Sequence, residues 1–378
     1  MSFFPRFLIP PPVDLASHYD GVEYRWKFLT FRPAYFQQEP FFVAVVLVFV
    51  AFYFWGKKAN ETRVNKWYEA HLPLLEAQFS KPTQQGLIRD GNSDWFNYST
   101  GRRAIVSLHT TFTMRPRHDL LQYAYQIGKG LVELDYQVYD AVELDFTFRD
   151  ADGAVPECVW AIVAKDDMKS IRAKRWDLTI TKTTDQPSLP SSLTVMSELA
   201  DITSNLLKPI GTFNLPGVFS NPAILPYFRS LSLTDQPRTR PSVPLPPSQR
   251  TKHLILSLAL PQSTNAGATL PLVTAAFQLV DAIAGTGRGA NTLRGGLSAQ
   301  LRPETRVKLK KVREELDKDI REDAVKEKKE EKAEEKAAAR KKAAEEKLSR
   351  LSAAEQTKAL DREKKRALRK TQGRIKMR

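Results

Sequence analysis

The chain has a single cysteine, Cys158, and only five histidines, His18, His71, His109, His118 and His253, among 378 residues. That excludes an internal disulfide framework, a CxxC zinc site and a redox pair, and the scattered histidines offer no metal-ligand spacing. Residues 302–378 contain no Phe, Trp, Tyr, Cys or His, so this stretch cannot build a core. The first twelve residues lack a positive region feeding an apolar one, and no A-x-A pattern follows residue 55. A cleaved signal peptide is therefore not expected.

What is present begins with charge. Lys and Arg total 58 against 43 Asp and Glu, a net of +15. A basic balance of this size points to an anionic partner, nucleic acid or lipid headgroups. Residues 302–378 hold about 28 basic and 17 acidic residues, a net of about +11, which leaves only about +4 for the remainder. The composition is Glu, Lys, Arg and Ala, the best helix formers. Glu304/Lys308, Glu314/Lys318, Glu322/Lys326 and Glu346/Arg350 stand in the favourable acid-before-base order four apart. A short apolar stripe (Leu309, Val312, Leu316, Ile320) is too soon broken for a long two-stranded coiled coil. Long solvated helices are expected. Residues 358–378 carry about ten basic residues against Asp361 and Glu363. The uncompensated cations Arg362, Lys364, Lys365, Arg366, Arg369, Lys370, Arg374, Lys376 and Arg378 read as a phosphate-contacting end. With no aromatics to stack on bases, they would read backbone charge and shape.

Residues 41–55, FFVAVVLVFVAFYFW, carry no charge or amide. Pro40 and Gly56 extend the charge-free run to about 17 residues, the lower limit for a spanning helix. About eleven Phe, Val or Leu at roughly −0.3 kcal/mol each favour insertion by on the order of −3 kcal/mol. Phe41, Phe42, Val45, Leu47, Phe49, Phe52 and Trp55 are the expected membrane-spanning residues, with Tyr53 and Trp55 at the interface and Lys57 and Lys58 free to snorkel. A buried core helix is the alternative. Lys57, Lys58, Arg63 and Lys66 after the run slightly outweigh Arg25, Lys27 and Arg32 before it, which favours a cytosolic C-terminal side. Asn60-Glu-Thr and Asn97-Tyr-Ser are glycosylation sequons, and a glycan on Asn97 would instead place the bulk in a lumen.

The middle reads as one α+β domain. Residues 67–79 continue a helix that Pro73 threatens to kink. Strands are expected at 104–114, 142–148, 159–164, 176–181, 230–234 and 253–260, from period-two alternation and β-rich composition. Helices are expected within 119–136 (Asp119 as N-cap), 192–207 and 270–283. The last could lie on a membrane but reads better as core. Proline-rich residues 235–248 read as a surface loop. The division is residues 1–40 as a short luminal segment, 41–56 as the span, 57–300 as a cytosolic α+β domain and 301–378 as a charged helical tail. The fold class is α+β with a single-pass membrane anchor and extended C-terminal charged helices.

Catalytic signals are weak. Glu143 and Asp145 share a strand face, which a solvent-facing strand explains. Asp90, Asn92 and Asp94 begin like a calcium loop, but Trp95 stands where the glycine is needed and Gly101 where the bidentate acid belongs. Gly285, Gly287 and Gly289 follow a helix rather than a strand and lack a Lys-Ser/Thr, so they read as a hinge. His118-Asp119 has no G-x-S-x-G serine to accompany it. No cofactor, metal or catalytic residue is assigned, and an enzyme is not expected.

Three strings, DWFNYSTGRRAIVSL (94–108), TMRPRHDLL (113–121) and LPSSLTVM (189–196) with the SELADIT run after it, resemble the calumin family. That family is the coiled-coil subunit of the PAT (protein associated with the translocon) complex of the endoplasmic reticulum. The order of span, α+β domain and basic tail is similar too. The resemblance implies a non-catalytic subunit that binds a small multi-spanning membrane partner, Asterix. Together they would shield nascent multispanning membrane proteins beside the ribosome-bound Sec translocon, with the tail cations near ribosomal RNA. The family's animal members have a long acidic luminal region linked to calcium. Residues 1–40 here hold only Asp14, Asp20, Glu23 and Glu39, so no calcium role is carried over. Two other readings compete: a tether holding ribosomes or RNA at a membrane without client handling, and a membrane-anchored enzyme whose site the sequence does not display.

Overall fold

The computed structural model describes residues 21–27, 29–33, 39–83, 86–133, 136, 138–149, 153–211, 213–246, 249–286 and 293–349. Two short strands, β1 (Tyr24–Trp26) and β2 (Leu29–Phe31), pair as a hairpin. A 40-residue helix, α1 (Glu39–Gln78), then runs unbroken through both the expected span and the 67–79 segment, Pro73 included. Strands β3 (Ile88–Asp90), β4 (Asp94–Thr100) and β5 (Ile105–Thr113) lead to α2 (Leu120–Val132) and β6 (Ala141–Phe148). Strand β7 (Trp160–Ala164) is followed by a 3-10 turn and α3 (Met168–Lys174), then β8 (Lys182–Thr184) and β9 (Leu193–Ser197). Helices α4 (Ala200–Leu207) and α5 (Leu215–Phe219) precede β10 (Phe228–Thr234) and β11 (His253–Ala259). Helices α6 (Leu270–Ala284), α7 (Gly296–Gln300) and the 47-residue α8 (Pro303–Ser349) complete the described chain.

Nine strands form one antiparallel sheet in the order β3-β4-β5-β6-β11-β10-β7-β9-β8. Its two edges, β3 and β8, are three residues each, which limits the unpaired backbone offered to another chain. β6 alternates as expected: Val142, Leu144, Phe146 and Phe148 are buried while the residues between them are half-exposed. This apolar face receives the second half of α1 and α6. Trp67 meets Phe112 edge-on at 5.2 Å, and Phe277 meets both Phe146 and Phe79, at 5.2 and 5.8 Å. On the other face a smaller cluster, Val159, Ala161, Val163, Leu178 and Met196, packs with Met168 and Ile171.

Most expected strands are present, and 119–136 and 270–283 are helical. Helix α6 is core, with nine residues buried and an αL cap at Gly285 (φ 69°). The remaining glycines of the expected hinge, Gly287 and Gly289, lie outside the described residues.

Two readings need correction. Residues 176–180 form a 3-10 helix, not a strand. Their apolar residues alternate, but Leu178 plugs the smaller core, while buried Asp177 is held by the Arg175 guanidinium at 2.5 Å. Tertiary contacts override the local period there. Within 192–207 the first part is β9, buried along its whole length between β7 and β8, and helix begins only at Ala200. A strand buried on both faces loses the alternation that distinguishes it from a helix.

Strand β4 was not expected because its polarity is inverted. Its inward residues include Asn97 and Ser99, both fully buried, whereas Phe96 and Tyr98 point outward. Asn97 Nδ2 donates to the Pro82 carbonyl at 3.2 Å, and Tyr98 stacks on His109 at 4.3 Å.

The chain divides into two compact units. One comprises residues 1–240 and 250–309; the other comprises 241–249, from the proline-rich loop, with 310–378. In the first, the Asp201 carboxylate accepts from the Arg302 N–H (3.1 Å) and the Thr305 hydroxyl (2.8 Å), fixing the start of α8. In the second, α8 pairs Lys318 with Glu322 four residues on, the reverse of the acid-before-base order, and Lys326 with Asp323 three residues back.

Candidate functional site

Helix α1 changes character at Gly56. From 39 to 55 it is apolar and bare, with only 6% of its most apolar stretch buried. Phe41, Val45, Leu47, Phe49 and Trp55 are exposed, and Phe42 and Phe52 are partly covered. From Gly56 onward a stripe at helical spacing (Gly56, Asn60, Val64, Trp67, His71, Leu75) is buried in the domain. The helix is long and apolar enough to cross a membrane. The core-helix alternative holds for α6, not for the first half of α1.

The junction is built by the RPRHDLL string. A Cβ on Gly56 would sit 2.0 Å from the Arg117 carbonyl oxygen, so only glycine lets the two backbones touch. Arg117 makes a bidentate pair with Asp140, at 2.8 and 2.7 Å, and also donates to the Asn60 side-chain oxygen at 2.9 Å. Asn60 Nδ2 donates to the Arg115 and Asn92 carbonyls at 3.0 and 3.2 Å. Asp140 further accepts the Arg115 N–H at 3.0 Å and pairs with Arg63 of α1. Burial alone would push the Asp140 carboxyl up, but hydrogen bonds from Arg117 and Arg115 and the nearby guanidinium charges hold it below the ordinary carboxylate range. Asp119 caps α2, accepting from the Leu121 and Gln122 N–H groups at 3.0 Å each.

One turn further on, Trp67 Nε1–H donates to the Thr269 hydroxyl (2.8 Å), and that hydroxyl lies 3.1 Å from His71 Nε2. His71 Nδ1 lies 2.8 Å from the Trp67 carbonyl. Both ring nitrogens are thus satisfied by a neutral imidazole with its proton on Nδ1. Burial lowers its pKa from 6.5 to about 4 despite the Trp67 carbonyl. Between those values the unfolded chain binds the proton and the folded chain does not, so stability rises with pH across this window. Acidifying the full chain in detergent from about pH 6.5 toward 4 should cost on the order of 3 kcal/mol from this group. His71→Leu should flatten that part of the unfolding-versus-pH curve. An unchanged slope would remove His71 as the sensor.

The two sequons cannot serve as expected. Asn60 and Asn97 are both fully buried and hydrogen-bonded, so neither side chain can carry a glycan in the folded chain. The absence of a glycan on either therefore does not report which side of a membrane the domain occupies.

The other motifs resolve structurally. Glu143 and Asp145 line a shallow 420 Å³ groove with His109 and Arg238. Arg238 bonds Glu143 and lies 3.6 Å from Asp145, while His253 Nδ1 lies 2.7 Å from Asp145. Both carboxylates are thus tied to partners within the groove. Burial lowers the His109 pKa, although Asp145 and Glu143 oppose it. Asp90 and Asp94 face each other across the β3–β4 turn. Among the described residues no group of three His, Cys, Asp or Glu side chains could hold a metal ion. Arg362, Lys364, Lys365, Arg366, Arg369, Lys370, Arg374, Lys376 and Arg378 lie outside the described residues.

Arg117, Asp140, Asn60 and Gly56 were not singled out as a site by sequence reasoning. The only signal was that TMRPRHDLL belonged to the strings carrying the family resemblance, and those strings map onto the junction, β4 and β9.

Comparison with known proteins agrees. The UPF0674 endoplasmic reticulum membrane protein of Schizosaccharomyces pombe is 27% identical over 242 residues, covering 60% of this chain and 59% of the relative. The human PAT complex subunit CCDC47 is 24% identical over 181 residues, 44% of this chain and 35% of the relative. Its Xenopus laevis counterpart is 22% identical over 303 residues, 72% and 55%. The chain thus spans less than two thirds of the length of each of these relatives. The profile described as PAT complex subunit CCDC47 matches residues 35–370, from before the apolar helix into the basic tail, and on that extent the chain belongs to the PAT complex subunit CCDC47 family.

Proposed function

We propose that this chain is a non-catalytic subunit of an endoplasmic-reticulum membrane complex that assists insertion and folding of multispanning membrane proteins at the ribosome-bound translocon. The observation that carries it is α1: one continuous helix, bare and apolar to residue 55, locked into an α+β domain from Gly56. At 1.5 Å per residue, about 17 residues cross roughly 25 Å, so the bilayer ends where packing begins. The anchor is single-pass, residues 1–40 are luminal, and the domain and tail lie in the cytosol directly beneath the membrane. The tail cations reach ribosomal RNA. The other partners are the Sec translocon, the small membrane protein Asterix and nascent multispanning proteins. Exposing a charge in hydrocarbon costs roughly 2.5–3.5 kcal/mol, and a surface that screens it delays misassembly.

Purification of the tagged full chain in mild detergent tests this. Ribosomes and a small multi-spanning partner should co-purify, and nascent multispanning chains should cross-link to the complex. Ribosomes without partner or client cross-links would support a simple tether instead. Loss of all three would sink the proposal. Protease added to sealed microsomes should digest residues 57–378, and a protected domain would reverse the topology.

A further inference from the structure

Helix α2 is inside out. At 100° per residue, Leu121, Tyr125, Ile127, Leu131 and Val132 share an apolar face about 160° wide with Leu120, Ala124 and Gly128. The opposite face carries Gln122, Tyr123, Gln126 and Lys129. In a surface helix of a soluble domain the apolar face is buried. Here no residue of α2 is buried, and Leu121, Leu131 and Val132 are 74%, 80% and 83% exposed. The partly covered positions, Leu120, Tyr123, Gln126 and Lys129, recur every third residue and fall mainly on the polar side. The helix turns its polar side to the protein and its apolar side away.

Its position says what covers that face. The chain entering α2 touches α1 at the end of the bare half: Gly56 against the Arg117 backbone, and Tyr53 edge-on to His118 at 6.1 Å. Tyr123, one turn into α2, meets Phe52 at 6.2 Å. The helix does not run back along α1, whose residues 43–50 stay exposed. Nor does it sink into the domain, since nothing in it is buried. It therefore leaves α1 at the level where apolar surface gives way to Lys57 and Lys58.

We propose that α2 is an interfacial helix, its Leu121, Tyr125, Ile127, Leu131 and Val132 face seated at the headgroup and upper acyl boundary of the leaflet in which the α1 span ends. This rests on the reading of α1 as a span. The source of apolar cover is the bilayer, because α2 leaves α1 at the end of its bare half, where Tyr123 meets Phe52, and carries its apolar face away from the protein there. An amphipathic helix lying in the interface buries its apolar face about 5–10 Å into that boundary. Residues 270–283, which could lie on a membrane but read better as core, are core.

The test uses the full chain in vesicles of phosphatidylcholine and phosphatidylserine, labelled with an environment-sensitive fluorophore at Leu121→Cys, Leu131→Cys, Gln122→Cys or Phe49→Cys. Native Cys158 is fully buried and should stay unlabelled. A shallow nitroxide lipid should remove on the order of half the emission at positions 121 and 131 and less than about a tenth at 122. A deep nitroxide lipid should quench position 49. Quenching at 49 but not at 121 and 131 overturns the α2 proposal and leaves the anchor standing. No quenching at 49 overturns the anchor itself. Labels at 121 and 131 that are water-exposed in these vesicles but shielded in native microsomes would mean that a protein covers the face, and the bilayer assignment would fall.

Discussion

Raising monovalent salt from about 50 to 200 mM is expected to weaken ribosome binding by the full chain roughly 100- to 500-fold, if about five of the nine tail cations reach phosphates. Each neutralised phosphate releases counterions, so the log–log slope should approach about −0.7 to −0.9 per contact. The cations are Arg362, Lys364, Lys365, Arg366, Arg369, Lys370, Arg374, Lys376 and Arg378, opposed locally by Glu363 and Asp361. Truncation before Lys358 should remove this salt dependence and most of the affinity while leaving membrane insertion intact. The residual binding should then be nearly flat with salt. Salt-independent binding by the full chain, or undiminished binding after truncation, would refute the electrostatic role. The mixed stretch at 321–347 should matter far less, because its acids and bases alternate and largely cancel.

The second large effect is expected at the junction. Arg117→Ala should destabilise the full chain in detergent by about 3–5 kcal/mol, because it leaves the Asp140 carboxylate buried without its bidentate partner. Asp140 is 5% exposed and Arg117 9%, so solvent screens the pair poorly. Arg63 remains near Asp140 but is more exposed and offers partial compensation. Asp140→Ala should cost a similar amount by stranding Arg117. The double replacement Arg117→Leu with Asp140→Leu should recover part of the loss, since an apolar pair of similar volume avoids the unpaired charge. Urea unfolding followed by tryptophan fluorescence provides the measurement; Trp67 and Trp95 lie close to this region and are buried. If Arg117→Ala costs less than about 1 kcal/mol, the network does not hold α1 to the domain. The pH signature of this site is separate from that of His71. The Asp140 pKa is lowered by folding, so its contribution is present above the ordinary carboxylate pKa and fades only as pH falls through the folded value.

Much of the sheet was legible from alternation. Val142, Leu144, Phe146 and Phe148 announce β6, and residues 253–260 contain β11, because a half-buried strand writes its two faces into every second residue. Where burial departs from that rule, the signal fails. β9 is buried along its whole length, and β4 puts Asn97 and Ser99 inside with Phe96 and Tyr98 outside. The 176–180 segment alternates yet coils, because Leu178 is claimed by the smaller core of β7 and β9 while Asp177 pairs with Arg175 two residues before it. The candidate site was legible only in part. The apolar run of α1 is a local property, whereas the junction that ends it joins Asn60 to Arg117 across 57 positions and Trp67 to Thr269 across 202.

The sequence by itself determined the partition of charge between domain and tail, the apolar run at 41–55, the lack of catalytic signatures and the α+β class. All of these depend on composition or on a period of two to four residues. Only the tertiary structure decided that α1 is bare on one side of Gly56 and packed on the other, that Asn60 and Asn97 are buried, and that α2 turns its apolar face outward. A hydrophobic stripe records that a helix has two faces. Which face meets protein is fixed by distant residues that arrive only when the chain folds.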